Sequence, residues 1–157
     1  MIELPVFKFA LVEGLSDIFL PTRAHETDTG WDVRAAENFL LEPGQYVKIP
    51  LGFRVFAPQG WWLELHPRSS SFTKKNLHAL YGVIDEAYQG QCLFACQYLH
   101  PENWRSLQIT AGEAIGQLIP VKRQEMLVER VSNQEYEQLT KDRNFNRGAG
   151  GFGSTSK

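Results

Sequence analysis

Cysteine is scarce in this 157-residue chain, which has only Cys92 and Cys96. Four positions apart in an apolar stretch, they would share one face of a strand about 13 Å apart, too far for a disulfide. A C-x3-C pair without further ligands is also a poor zinc site. Both are expected to be buried free thiols, which suits a reducing compartment. Long apolar runs are missing too, so no stretch reads as a membrane span. The N-terminus lacks the basic start, apolar core and small-residue cleavage site of a signal peptide, and the expectation is a cytoplasmic protein. There is no basic surplus: 16 Lys and Arg against 18 Asp and Glu give a net charge of -2. That argues against a general nucleic-acid binder.

What is present suits one domain with a real core, at 43% hydrophobic and 22% charged residues. Phe7, Phe9 and Leu11 recur at every second position, as do Val47, Ile49, Leu51, Phe53 and Val55, and then Trp61, Leu63 and Leu65. Cys92, Phe94, Cys96 and Tyr98 keep the same period, as do Leu107 and Ile109. Many short strands in one domain predict an all-β sandwich, jelly roll or closed barrel. One helix signal comes late. Ser132 and Glu135 have capping-box spacing and Val131 and Tyr136 could form the staple, predicting a short helix from Asn133 to about Thr140.

Several stretches carry chemical groups. In Tyr81–Gly90 the β-branched pair Val83-Ile84 leads into Asp85, Glu86 and Tyr88, a short strand entering a tight turn. Asp85 is either a rigidly held general base or a turn carboxylate, and Tyr88 could offer its ring to a flat ligand. Asp28 and Asp32 flank Gly30, as a solvated loop or, less simply, a metal site, with Asp32 on the following strand. Arg68, Ser69, Ser70 and Ser71 follow the Trp61–Leu65 strand and could grip phosphate oxygens or form a surface turn with a helix cap. Gln117 interrupts an apolar strand, as a phosphate donor or as an amide satisfied within the sheet.

The C-terminus combines four glycines with Arg147, Phe152, Ser154 and Thr155 between positions 147 and 155. From Thr140 onward Lys141, Arg143, Arg147 and Lys157 stand against Asp142, a local surplus of three positive charges. Such a tail is either a disordered end or a basic lid for a polyphosphate, with Phe152 stacking on a base. The division expected is a barrel domain over 1–140 and a flexible tail over 141–157.

Together, Thr29-Gly30-Trp31-Asp32-Val33, Pro67-Arg68-Ser69-Ser70, Gly82 to Gly90, Gly112-x-x-Ile115-Gly116-Gln117-Leu118 and Arg147 to Thr155 resemble, in order and spacing, the five motifs of the trimeric deoxyuridine triphosphatases (dUTPases). The resemblance implies a jelly-roll-like β-barrel, a homotrimer with shared active sites, and Mg2+-dependent hydrolysis of dUTP to dUMP and pyrophosphate. The compartment would be the cytoplasm, or the host cytoplasm for a viral gene. It further implies that Asp85 activates the attacking water and that Asp32 lies near the metal through water. Arg68, Ser69, Ser70 and Gln117 would hold the α- and β-phosphates; Arg147, Ser154 and Thr155 the γ-phosphate. Phe152 and Gly153 of the tail would cover the uracil, Gly82 and Ile84 would belong to the strand that reads it, and Tyr88 would pack under the sugar and exclude a ribose.

Three positions depart from the family pattern. Ala87 lies where many relatives carry a second acid, Ala114 replaces a common basic residue, and Leu77–Tyr81 lacks an asparagine that some relatives use on uracil. A rival reading is the related dCTP deaminases, but their glutamate after the third motif has no counterpart from Ala87 to Pro101. A second is a nucleotide-controlled binding partner, for which Trp104 in the Glu102–Arg105 stretch would be a contact.

Overall fold

In the computed structural model, which describes residues 1–100 and 105–151, the predicted alternation becomes eleven strands among the described residues. They are β1 (Lys8–Leu11), β2 (Trp31–Arg34), β3 (Phe39–Leu41), β4 (Tyr46–Pro50), β5 (Phe53–Phe56), β6 (Trp61–Pro67), β7 (Leu77–Ala79), β8 (Gly82–Ile84), β9 (Leu93–Tyr98), β10 (Leu107–Ile109) and β11 (Ala114–Lys122). The alternating run from Val47 to Val55 is divided between β4 and β5. Gly52 turns the chain there at φ +83°, a conformation that a residue with a Cβ adopts only with strain.

All pairings are antiparallel. β2, β11, β6 and β8 form a four-stranded sheet in that order, β4, β9 and β7 a three-stranded one, and β1–β5 and β10–β3 two ribbons. Their inward residues meet in one apolar core: Val33, Ile49, Leu51, Phe53, Phe94, Ile109 and Ile115 are all inaccessible to solvent. The result is an all-β, jelly-roll-like fold. Cys92 and Cys96 are buried free thiols, as expected. Burial raises the Cys92 thiol to about 12 and that of Cys96 to about 11, so both stay protonated and unreactive.

A five-residue helix, α1 (Ser69–Thr73), follows β6 directly. The buried Ser71 hydroxyl donates to the Ile115 carbonyl at 2.6 Å, which ties this helix to the start of β11. The strands and α1 make up one compact unit, Met1–Arg123, and a second begins at Gln124. The second contains α2 (Asn133–Asp142). The Ser132 hydroxyl accepts from the Glu135 N–H at 3.1 Å, which is the expected cap. The helix runs two residues past Thr140, its last turn held by a Gln138 amide donating to Asp142 at 2.7 Å.

Candidate active site

The four-stranded sheet brings the sequence-predicted polar residues into one row. Asp32 on β2 lies opposite Gln117 on β11, and Gln117 opposite His66 on β6. Their strand neighbours Val33, Leu118 and Leu65 are buried in the core, so the polar side chains project from the outer face. At the end of β6 the chain turns into α1, and there the Arg68 Nε sits 3.0 Å from Asp32 Oδ1. The Gln117 amide donates to the Pro67 carbonyl at 3.1 Å, just before Arg68. Gly30 leaves room for this amide: a Cβ there would strike Gln117 Oε1.

The structure gives the two aspartates and the three serines different surroundings. Asp28 is a loop carboxylate that accepts from the His25 N–H at 2.9 Å, whereas Asp32 faces Arg68. Ser71 is structural, while Ser69 is exposed and Ser70 partly so. No group of three or more His, Cys, Asp or Glu side chains suited to a metal occurs among the described residues. Asp32 is the sequence-predicted donor at this end. One carboxylate fits Mg2+, which keeps several waters and commonly takes its remaining ligands from substrate phosphates.

Asp85 lies at the other end of the same sheet. Ile84 is opposite Leu63 on β6, which carries Asp85 to the level of Trp62. Arg68 is six residues further along, roughly 20 Å at about 3.3 Å per residue. Asp85 borders a cleft of about 740 Å³ with Glu86, Trp61, Trp62 and Phe56. Its carboxylate is exposed and has no hydrogen-bonding or ion-pair partner among the described residues. Glu86 is engaged: its Oε2 accepts from the Gly60 N–H at 3.0 Å and pairs with Arg123 at 2.6 Å. The turn closes with the Tyr88 N–H donating to the Asp85 carbonyl, and the Tyr88 hydroxyl donates to the Gln91 carbonyl, both at 3.0 Å. Tyr88 thereby lies over Gly90, where a Cβ would come within 2.5 Å of its hydroxyl oxygen.

Gly82 and Ile84 are on β8, Gly82 opposite Leu65 and Ile84 buried. Arg147 is exposed in the second unit. The Phe152, Gly153, Ser154 and Thr155 expectations lie outside the described residues, as does Trp104.

Sequence reading missed Lys75 and Glu113. Lys75 follows α1, and its ammonium pairs with Glu113 Oε1 at the turn into β11. Burial lowers its pKa, and the neighbouring Arg68 charge lowers it further. Nothing local flags this pair, because its members are 38 positions apart in the chain.

Comparison with known proteins bears on the family of the chain. The dUTPase family profile matches residues 16–156. A deoxyuridine 5'-triphosphate nucleotidohydrolase of Thermobifida fusca is 33% identical over 141 residues, covering 88% of this chain and 73% of its own. The enzyme of that name from Corynebacterium glutamicum is 31% identical, covering 100% and 99%. Among solved structures, a Staphylococcus bacteriophage 80alpha dUTPase variant with dUpNHpp superimposes with a TM-score of 0.77 at 25% identity, covering 97% of this chain and 99% of that one. With a match spanning nearly its whole length, the chain belongs to the dUTPase family.

Proposed function

We propose that this dUTPase family member hydrolyses dUTP to dUMP and pyrophosphate in sites shared between the chains of a homotrimer. The observation that carries this reading is the length of β6. Arg68, Gln117 and Asp32 gather at one end, and Asp85 lies roughly 20 Å away at the other. A single phosphate chain is too short to engage both ends, so a working site needs Asp85 from a second copy.

In that site Arg68, Ser69, Ser70 and Gln117 hold the α- and β-phosphates through charge-assisted hydrogen bonds. The backbone of the Leu77–Gly82 hairpin, with Ile84 behind it, reads the uracil, and Tyr88 packs under the sugar. Asp85 accepts a proton from a water whose oxygen bonds to the α-phosphorus, while the bond from that phosphorus to the α–β bridging oxygen breaks. Pyrophosphate then leaves with the bridging oxygen. The unpaired state of Asp85 supports this role, since a base must have its carboxylate available. Mg2+, when bound with the triphosphate near Asp32, supplies neutralisation of phosphate charge. The tail residues Arg147, Phe152, Gly153, Ser154 and Thr155 close over the γ-phosphate and base. We assign the closing role to residues 141–157.

Mixed trimers test the proposal. Asp85→Asn and Arg68→Ala chains are each expected to be inactive alone, measured as pyrophosphate release from dUTP. Co-refolded at equal amounts, they should recover about a quarter of the wild-type sites, because random assembly unites an intact Arg68 with an intact Asp85 that often. No recovery by well-mixed trimers would show that each site belongs to one chain. EDTA should abolish release, and UTP, dCTP and dTTP should be poor substrates.

A further inference from the structure

We propose that Lys75 is a further nucleotide-binding residue, a second cation beside Arg68 that leaves Glu113 to take the phosphate chain. This rests on the reading of Arg68 as a phosphate-holding residue.

The helix carrying Arg68 at its start ends just before Lys75, and Ser71 fixes that helix to Ile115 without help from Lys75. Glu113 is likewise held without it, since its other oxygen accepts from the Thr110 N–H at 3.1 Å. Each element thus has an anchor besides the Lys75–Glu113 pair. The Arg68 N–H donates to the Ile115 carbonyl at 3.5 Å, two residues from Glu113, which sets the Lys75–Glu113 pair beside Arg68, near enough for the two cations to oppose one another. Each has one carboxylate partner, Glu113 and Asp32 respectively. An arriving polyphosphate relieves that repulsion, whereas a neutral ligand does not. The Lys75 side chain is 19% exposed, so most of its stem is already ordered and little freedom is lost on binding. Nearby Arg34 is turned to the Gly112 carbonyl at 2.9 Å, and position 114 is an alanine, so neither competes with Lys75 for a ligand at this turn.

The test uses the full-length protein with inorganic pyrophosphate as the probe in titration calorimetry, followed by steady-state kinetics on dUTP. Lys75→Met should weaken pyrophosphate binding and raise KM by about tenfold, the loss of roughly one charge-assisted contact, with kcat changed much less. Lys75→Arg should restore most of the affinity. Glu113→Gln should leave pyrophosphate binding unchanged or tighter, because it removes the competitor for the lysine. If Lys75→Met and Glu113→Gln both lower the melting temperature while pyrophosphate binding stays at the wild-type value, the pair is a structural tie and the proposal is wrong. An Arg68→Ala control separates the two readings. Loss of pyrophosphate binding there but not in Lys75→Met sinks only the Lys75 proposal; loss in neither shows that the phosphate site itself lies elsewhere.

Discussion

Two adjacent carboxylates on one turn have opposite surroundings. Asp85 has no partner among the described residues, while Glu86 holds the Gly60 N–H and Arg123. Asp85→Asn should therefore cut dUTP turnover by at least about a hundredfold and leave the melting temperature unchanged. Glu86→Gln should do the reverse, costing about 1 kcal/mol of stability by denaturant unfolding with turnover largely retained, since the pair is only partly buried. Sequence alone left Asp85 as either a general base or a turn carboxylate and gave no sign of the Glu86 pairing, because Arg123 is 37 positions away. The thiols belong to the same scale. Both cysteines are neutral in either state below their ordinary value of 9; above it the unfolded chain ionises while burial keeps Cys92 protonated to about 12 and Cys96 to about 11. Folded stability should fall as pH rises from about 9 toward those values, and a Cys92→Ala, Cys96→Ala double variant should show a shallower fall in alkaline denaturation.

At the scale of elements, β11 uses its two faces for different ends, and two glycines report on them. A Cβ on Gly30 would strike the far end of a flexible side chain, Gln117 Oε1. Gly30→Ala should displace that amide, lowering turnover several-fold while the melting temperature moves little. A Cβ on Gly116 would instead meet the His66 carbonyl and the Phe94 ring, both at 3.1 Å. Gly116→Ala should cost about 1–3 kcal/mol of stability, read by chemical denaturation, because neither neighbour can move freely. The strands themselves were legible, since alternation at Phe94–Cys96–Tyr98 and Leu63–Leu65 directly records burial. The cap of α2 at Ser132 was legible because capping is local, and its far end less so because a Gln138–Asp142 contact extended it. Helix α1 lies in a stretch whose serines allowed either a phosphate grip or a capped turn. Its docking through Ser71 depends on Ile115, 44 positions on.

At the scale of the molecule, the motif order identified the chemistry but said nothing of distance. Asp32, Arg68 and Gln117 come together only because β2, β11 and β6 are neighbours, a pairing no spacing in the chain reveals. The same topology sends β8 antiparallel to β6 and takes Asp85 to the opposite edge. On the shared-site reading, the hybrid trimers above should regain activity that neither parent has. The span of β6 then has a consequence for how much enzyme a cell possesses. A solitary chain would own parts of two sites and complete neither, so output would climb more steeply than linearly with the number of chains made. Dilution would silence the protein before it unfolded it, and specific activity at falling concentration would serve as a gauge of assembly.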